Sequence, residues 1–233
     1  SIVDVFEAPY GGFCSTFSRS QDRFDLKQLI AGLGKEYQLM NIALKFYSCV
    51  GSNHTTLDAI KDIQKRRPFS RNDFKEIRVF GSQVTVDHVG WDYRPEGLTS
   101  AQLTLPFCVA TLLIEGDVFV EQFTTDCVAD PERIELSRKI KVFHDPDITK
   151  RGSGYRHMVR VEVEFEDGDV ESETREYPRG SEYDFASDEE IIRKFKTLAK
   201  SSLSAKSADK IVDMILNVEA LDSMNVLLTE MSG

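Results

Sequence analysis

The sequence predicts an α+β fold, a small sheet packed against helices, on three stretches. Val159–Phe165 (VRVEVEF) alternates apolar and charged residues at the strand period, Asp167-Gly168 is a hairpin turn signal, and Val170–Tyr177 returns. Asn53–Arg67 sets Leu57, Ile60 and Ile63 on one helical face. Leu98–Glu115 is apolar on nearly all sides, as a buried helix would be.

Taken in order, Ser1–Ala8 reads as the end of a helix and Pro9–Phe13 as a turn in which Gly11 and Gly12 free the backbone. Phosphate cradles also use glycines, but a Gly-Gly pair alone matches no nucleotide motif, and a packing turn is the expectation. Asp25–Gly34 has apolar residues at helical spacing and a C-terminal glycine. Tyr37–Tyr47 reads as an extended strand leading into the Asn53–Arg67 helix, which Ser52 or Asn53 can cap and Pro68 stops. Phe74–Asp87 alternates through Ile77, Val79, Val84 and Val86, a strand interrupted near Gly81. The loop His88–Pro95 holds the chain's single tryptophan, Trp91, which either lines a ligand site or anchors the loop to the core.

Pro106 within Leu98–Glu115 implies a kink or an irregular first half, with Thr99 and Ser100 as candidate caps and Gly116 as the stop. Short helices are expected at Phe119–Thr124 and from Pro131 to Val142. Lys150–Gly154 reads as a mobile basic loop before the hairpin. Ser187 followed by Asp188, Glu189 and Glu190 caps a helix to about Lys200, and a last helix covers roughly Ala205–Asn217.

Composition bounds the function. With 233 residues the chain can bury a core as one large domain or two small ones, and 41% hydrophobic and 29% charged residues describe a globular protein. The net charge of −10 argues against a nucleic-acid binder or an acidic-membrane binder, so an acidic ligand needs a local basic pocket. No apolar run approaches the roughly 20 residues of a membrane span. Cys14, Cys49, Cys108 and Cys127 are widely spaced without zinc-type spacing, which reads as reduced thiols of an intracellular protein and no metal site. No signal peptide is visible, and a start on an apolar segment without an initiator Met reads as a fragment.

The chemistry concentrates around Lys45. Tyr47 and Cys49 stand between Lys45 and His54, where an extended segment gives way to a helix whose first N–H groups favour an anion. Lys45 and His54 can form a small cationic site for a carboxylate. Equally, Lys45 can be a solvated strand-end residue and His54 a polar residue on an exposed first turn.

Several segments together resemble the MmgE/PrpD family. They are Phe6-Glu7-Ala8-Pro9-Tyr10-Gly11-Gly12-Phe13, Lys45-Phe46-Tyr47-Ser48-Cys49 followed by Asn53-His54 and Asp58-Ala59-Ile60, Thr99-Ser100-Ala101-Gln102-Leu103-Thr104-Leu105-Pro106-Phe107, and Phe123 with Asp130-Pro131-Glu132. The resemblance covers nearly the whole chain but only the second half of the family's length. It implies the end of a helical domain and a connector at 1–34, an α+β lid at 35–183, and helices returning to the helical domain at 184–233. It further implies a lyase of small polycarboxylates, such as a 2-methylcitrate dehydratase or cis-aconitate decarboxylase, with an amino-dicarboxylate epimerase or a non-catalytic binding domain as alternatives. Members are homodimers without metal or organic cofactor, and the N-terminal helical half would be this chain's partner. A cytoplasmic site is expected, with a mitochondrial one left open.

By the same resemblance Lys45 matches the lid lysine that faces substrate carboxylates and His54 the histidine of a TH motif. His88 and Trp91 fall in an H-x-G-W pattern like the decarboxylase branch, and Tyr47, Cys49, His88 and Trp91 are candidate binding residues. Two departures stand out. Val50 occupies the place of a decarboxylase histidine, and Trp91 that of a tyrosine, with Tyr93 two positions on as the candidate to take its role.

Overall fold

The computed structural model describes residues 4–20 and 22–232 and divides into two units, Ser1–Ile42 and Ala43–Gly233. In the first unit Asp4–Ala8 forms a turn, closed by the Ala8 N–H on the Asp4 carbonyl at 2.9 Å, rather than the end of a longer helix. Ser1, Ile2 and Val3 of that expectation lie outside the described residues. Helix α1 (Phe13–Ser18) starts directly after the glycines. Gly11 is required by its backbone, at φ +74°, and Gly12 by packing, since a Cβ on it would stand 2.4 Å from the Ala8 carbonyl oxygen. The segment expected as a helix at Asp25–Gly34 is a single 3-10 turn at Leu26–Leu29 followed by turns through Gly32 and Gly34, both at positive φ.

The second unit is α+β. Its helices and strands run α2 (Gly51–Arg66), β1 (Phe74–Gly81), α3 (Gln83–Val89), α4 (Leu98–Leu103), α5 (Leu105–Glu115), α6 (Thr125–Ala129), α7 (Pro131–Ser137), β2 (Ile140–His144), α8 (Pro146–Lys150), β3 (Val159–Phe165), β4 (Val170–Arg175), α9 (Asp188–Ala199), α10 (Ala205–Leu216) and α11 (Met224–Met231). The sheet has the order β2-β1-β3-β4, with β1 and β2 parallel and the other two pairs antiparallel. Ile77, Val79, Val161 and Val163 face a core closed by Leu57, Ile60 and Ile63 of α2 and by the wholly buried middle of α5. The other sheet face carries charges paired across strands, Arg78 to Glu162 at 3.2 Å and to Glu164 at 3.0 Å.

The hairpin stands as expected, with Gly168 at φ +91° in its turn. Elsewhere several boundaries move. Tyr37–Tyr47 is not a strand: it holds a 3-10 turn at Gln38–Asn41, and from Leu44 to Val50 its amides bond to three separate places, Leu44 to Gly180, Ser48 to Val118 and Val50 to Gln102. A strand needs one continuous neighbour, and this segment has none. Strand β1 ends at Gly81, because the Ser82 hydroxyl accepts the Thr85 N–H at 3.3 Å and starts α3, so Val84 and Val86 are helical. Leu98–Glu115 is two helices meeting at Thr104, whose extended conformation resets the chain and leaves Pro106 in the first turn of α5, where its missing N–H costs nothing. Neither Thr99 nor Ser100 caps: the N-cap is Gly97, and the Ser100 hydroxyl donates to the Arg94 carbonyl at 2.9 Å. The Pro131–Val142 helix stops at Ser137, and Ile140, Val142 and Phe143 pair with β1 instead. Lys150–Gly154 is folded, closing α8 and opening a 3-10 turn at Ser153–Tyr155. Ser187 and Glu190 form the reciprocal cap of α9.

Candidate functional site

The site grows from the strip Leu44–Val50, held on both sides by polar backbone. Gly180 makes the strip's approach possible. At φ +85° its Cα lies so close that a Cβ would meet the Leu44 carbonyl oxygen at 2.5 Å and the Phe46 ring at 2.8 Å. At the other end Gln102 clamps the strip: its side-chain N–H donates to the Ser48 carbonyl at 2.9 Å, and its own carbonyl accepts from Val50 N at 3.1 Å and Asn53 Nδ2 at 3.3 Å.

Helix α2 starts at Gly51, ahead of both expected caps, Ser52 and Asn53. Its N-cap is Val50, which offers no side-chain acceptor, and its first turn holds no acidic residue. Among the described residues no side chain caps this first turn, although the Asn53 N–H bonds to the Val50 carbonyl at 3.0 Å and Ser52, Asn53 and His54 are buried, so the helix dipole rather than a row of open donors acts there.

Lys45 and His54 meet over one atom. The Lys45 ammonium donates to the Cys49 carbonyl oxygen at 3.3 Å, and His54 Nε2 lies 3.4 Å from the same oxygen. A carbonyl only accepts, so the contact requires the proton on Nε2. The two groups differ in exposure. Lys45 is exposed, whereas His54 is 3% exposed, roofed by the Tyr47 ring, whose centroid lies edge-on at 5.2 Å. The Tyr47 hydroxyl donates to Asp58 at 2.7 Å. Burial first, and then the Asp58 charge, push its pKa far up, so it stays a phenol.

Cys49 belongs to a thiol pair. Cys108, fully buried on α5 with its thiol donating to the Ala101 carbonyl at 3.5 Å, lowers the Cys49 pKa against the opposing effect of burial, with His54 and Asn53 assisting. Burial and the Cys49 neighbour push Cys108 the other way. Asn53 steadies the pair by donating to Cys108 Sγ at 3.3 Å.

The remaining candidates fall elsewhere. Trp91 is 42% exposed and donates from Nε1 to Thr104 Oγ1 at 3.0 Å, beside a cavity of about 480 Å³ lined also by Asp92, Arg94, Glu96 and Ser100. Tyr93 is buried: its hydroxyl donates to the Val128 carbonyl at 2.9 Å, its ring packs on Phe107 at 4.2 Å, and burial raises its pKa to about 12. His88 is exposed at the end of α3. Among the described residues no hydrogen bond or ring contact joins His88, Trp91 or Tyr93 to Lys45 or His54. The link runs through α4, whose Gln102 holds the Lys45 strip while the adjoining Thr104 holds Trp91.

His157, which no motif marks, stands within electrostatic reach of both His54 and His88. Burial, then the charges of Arg156, His54 and His88, bring its pKa down to about 4. Its Nε2 accepts from Arg156 Nε at 3.0 Å, which places the proton of the neutral ring on Nδ1, a buried atom with no partner. Among the described residues no group of three or more His, Cys, Asp or Glu could hold a metal ion, and no helix is long and apolar enough to cross a membrane.

The MmgE/PrpD C-terminal domain matches residues 47–220. The chain belongs to the MmgE/PrpD family. Its match takes in the whole sheet, α2 to α10 and every candidate residue except Lys45. Among characterised family members it is 29% identical to a cis-aconitate decarboxylase of Aspergillus terreus over 98% of this chain and 49% of that protein. It is likewise 29% identical to a cis-aconitate decarboxylase-like protein of Aspergillus oryzae over 100% of this chain and 50% of the relative. A human cis-aconitate decarboxylase is 21% identical over 100% of this chain and 47% of its own length. The chain thus spans about half the length of the curated relatives it matches.

Proposed function

We propose that this MmgE/PrpD chain is the C-terminal half of a lyase that removes a carboxyl group, as carbon dioxide, from a small unsaturated polycarboxylate of the cis-aconitate kind. Residues 1–34 would end the helical domain, 35–183 form the lid and 184–233 return to the helical domain, with the remaining catalytic groups in an N-terminal half and the whole assembled as a homodimer. The observation that carries the reading is the convergence of Lys45 and His54 on the Cys49 carbonyl, beside the uncapped start of α2.

Breaking the bond to the departing carboxylate leaves an electron pair on carbon, and a proton must replace the lost group. Cations at the retained carboxylates lower the barrier by stabilising that negative charge. Lys45 supplies a compact ammonium on the exposed side, and the positive end of the α2 dipole lies beside it. His54 supports the arrangement from below through its Nε2–H and is the candidate for proton delivery. Tyr47 holds the imidazole in place, and Cys49 presents its carbonyl to both groups. His88 and Trp91 would line the approach. Tyr93 enters as a wall residue, since its hydroxyl is donated to Val128.

The test is turnover by the full-length protein of cis-aconitate, 2-methylcitrate and an amino-dicarboxylate, following carbon dioxide, water loss and deuterium uptake separately. Carbon dioxide release from cis-aconitate is expected. Lys45→Ala and His54→Gln should each lower kcat/KM by on the order of 10²-fold or more, the scale of a lost charge stabiliser or proton carrier. Activity undiminished in Lys45→Ala would remove the assignment. Deuterium uptake without loss of carbon dioxide or water would replace the lyase with an isomerase.

A further inference from the structure

A second basic site lies farther along α2. Asp58, Lys61, Asp62 and Lys65 form one stripe of the helix and face a cavity of about 490 Å³, closed on the other side by Arg175, Arg179 and the α9 residues Glu190, Arg193 and Lys194. Phe46, Tyr47 and Phe119 add apolar wall.

The charges in this wall are not equally engaged. Each of its carboxylates is already committed to the fold. Asp58 accepts the Tyr47 hydroxyl at 2.7 Å and the Arg179 backbone N–H at 2.8 Å. Asp62 accepts from Lys65 and from Arg175, both at 2.7 Å. Glu190 is paired with Arg179 and accepts the Ser187 N–H at 2.9 Å, and Asp117 accepts the Val118 N–H at 2.8 Å. Three cations are left with little. Lys61 reaches a carboxylate only at 3.9 Å, in Asp117, and Arg193 only at 3.9 Å, in Glu190. Lys194 has no carboxylate within 4.0 Å among the described residues, its ammonium standing 5.9 Å from the centroid of the Phe46 ring. In a chain of net charge −10 this is a local inversion of sign, with lightly engaged donors converging from α2 and α9 on a half-open cleft.

We propose that this cavity binds a small polyanion carrying at least two negative charges on carboxylate or phosphate groups, held by Lys61, Arg193 and Lys194. The site goes beyond the Lys45–His54 reading and does not depend on it. Tyr47 is the wall common to both, its ring lying 4.9 Å below the Lys61 ammonium and edge-on to His54 at 5.2 Å.

Calorimetric titration of the full-length protein with citrate, pyrophosphate and acetate tests it. Citrate or pyrophosphate should bind saturably and more tightly than acetate, and the stronger of the two names the anion class. Binding should persist in Lys45→Ala and weaken at least tenfold in the double variant Lys61→Ala/Lys194→Ala. Arg193→Gln, at a side chain 74% exposed, should weaken it as well and serves if the double variant fails to fold. Unchanged affinity in these variants, loss of binding in Lys45→Ala alone, or acetate binding as tightly as the polyanions would each overturn the proposal. Because Lys45→Ala separates the two sites, failure here leaves the lyase reading standing, and failure of the lyase reading leaves this one.

Discussion

At the scale of single residues, the sequence marked Lys45 and His54 because both flank one short junction, and they do share an acceptor. Their supports were illegible there. Asp58 is fixed by Arg179, Asn53 by Cys108 and His54 is accompanied by His157, partners brought in by the fold from far along the chain. A motif search sees neighbours in sequence, whereas these groups become neighbours only once the sheet has formed. The same history explains Tyr93, an attractive acid on paper whose hydroxyl is spent on Val128. His157 carries a prediction of its own. The folded protein holds its pKa near 4, while the unfolded chain titrates near about 6.5. Between those values the unfolded state binds the extra proton, so this residue's contribution is intact above pH 6.5 and is lost as pH falls toward 4. His157→Gln should therefore flatten the loss of stability between pH 6.5 and 4 in denaturant titrations. A slope identical to that of the parent protein would discard the assignment.

At the scale of elements, local pairing decided what could be read. The β3–β4 hairpin and the capped α9 carry their instructions within a few residues, and both stand where expected. Strand β2 does not: its partner β1 lies across α3 to α7, and Ile140–His144 alone is too short to tell a strand from the end of a helix. Tyr37–Tyr47 reads as a strand for the opposite reason, since its apolar residues suit one, yet where it runs on into the Leu44–Val50 strip the amides are shared among Gly180, Val118 and Gln102. That dependence is testable at Gly180. Gly180→Ala puts a methyl into the Leu44 carbonyl and forces a side chain into positive φ, so it should destabilise the protein by about 1–3 kcal/mol. It should also displace Lys45. The measurement is thermal unfolding together with KM for the polycarboxylate in the full-length protein, both of which should worsen, and an unaltered KM would show that the strip does not rely on this contact.

At the scale of the whole molecule, the helices after Ser187 leave much apolar surface open. Phe195, Ile211 and Ile215 line a groove of about 240 Å³ between α9 and α10, and Leu216, Met224, Val226 and Leu228 are each more than half exposed. Patches of this kind on an isolated chain favour association. Residues 1–233 alone should accordingly self-associate in light scattering at micromolar concentration and show no turnover of cis-aconitate. A strictly monomeric chain with full activity would contradict the division of the lyase between two halves. The position of β1 has a different kind of consequence. Of the four strands in this sheet it leaves the ribosome first, yet both strands that flank it are encoded later, β2 on one side and β3 on the other. Until they arrive, the nascent chain carries a Val- and Phe-bearing ribbon with two bare rims, a period in which chaperone occupancy or mispairing with another copy competes with correct closure.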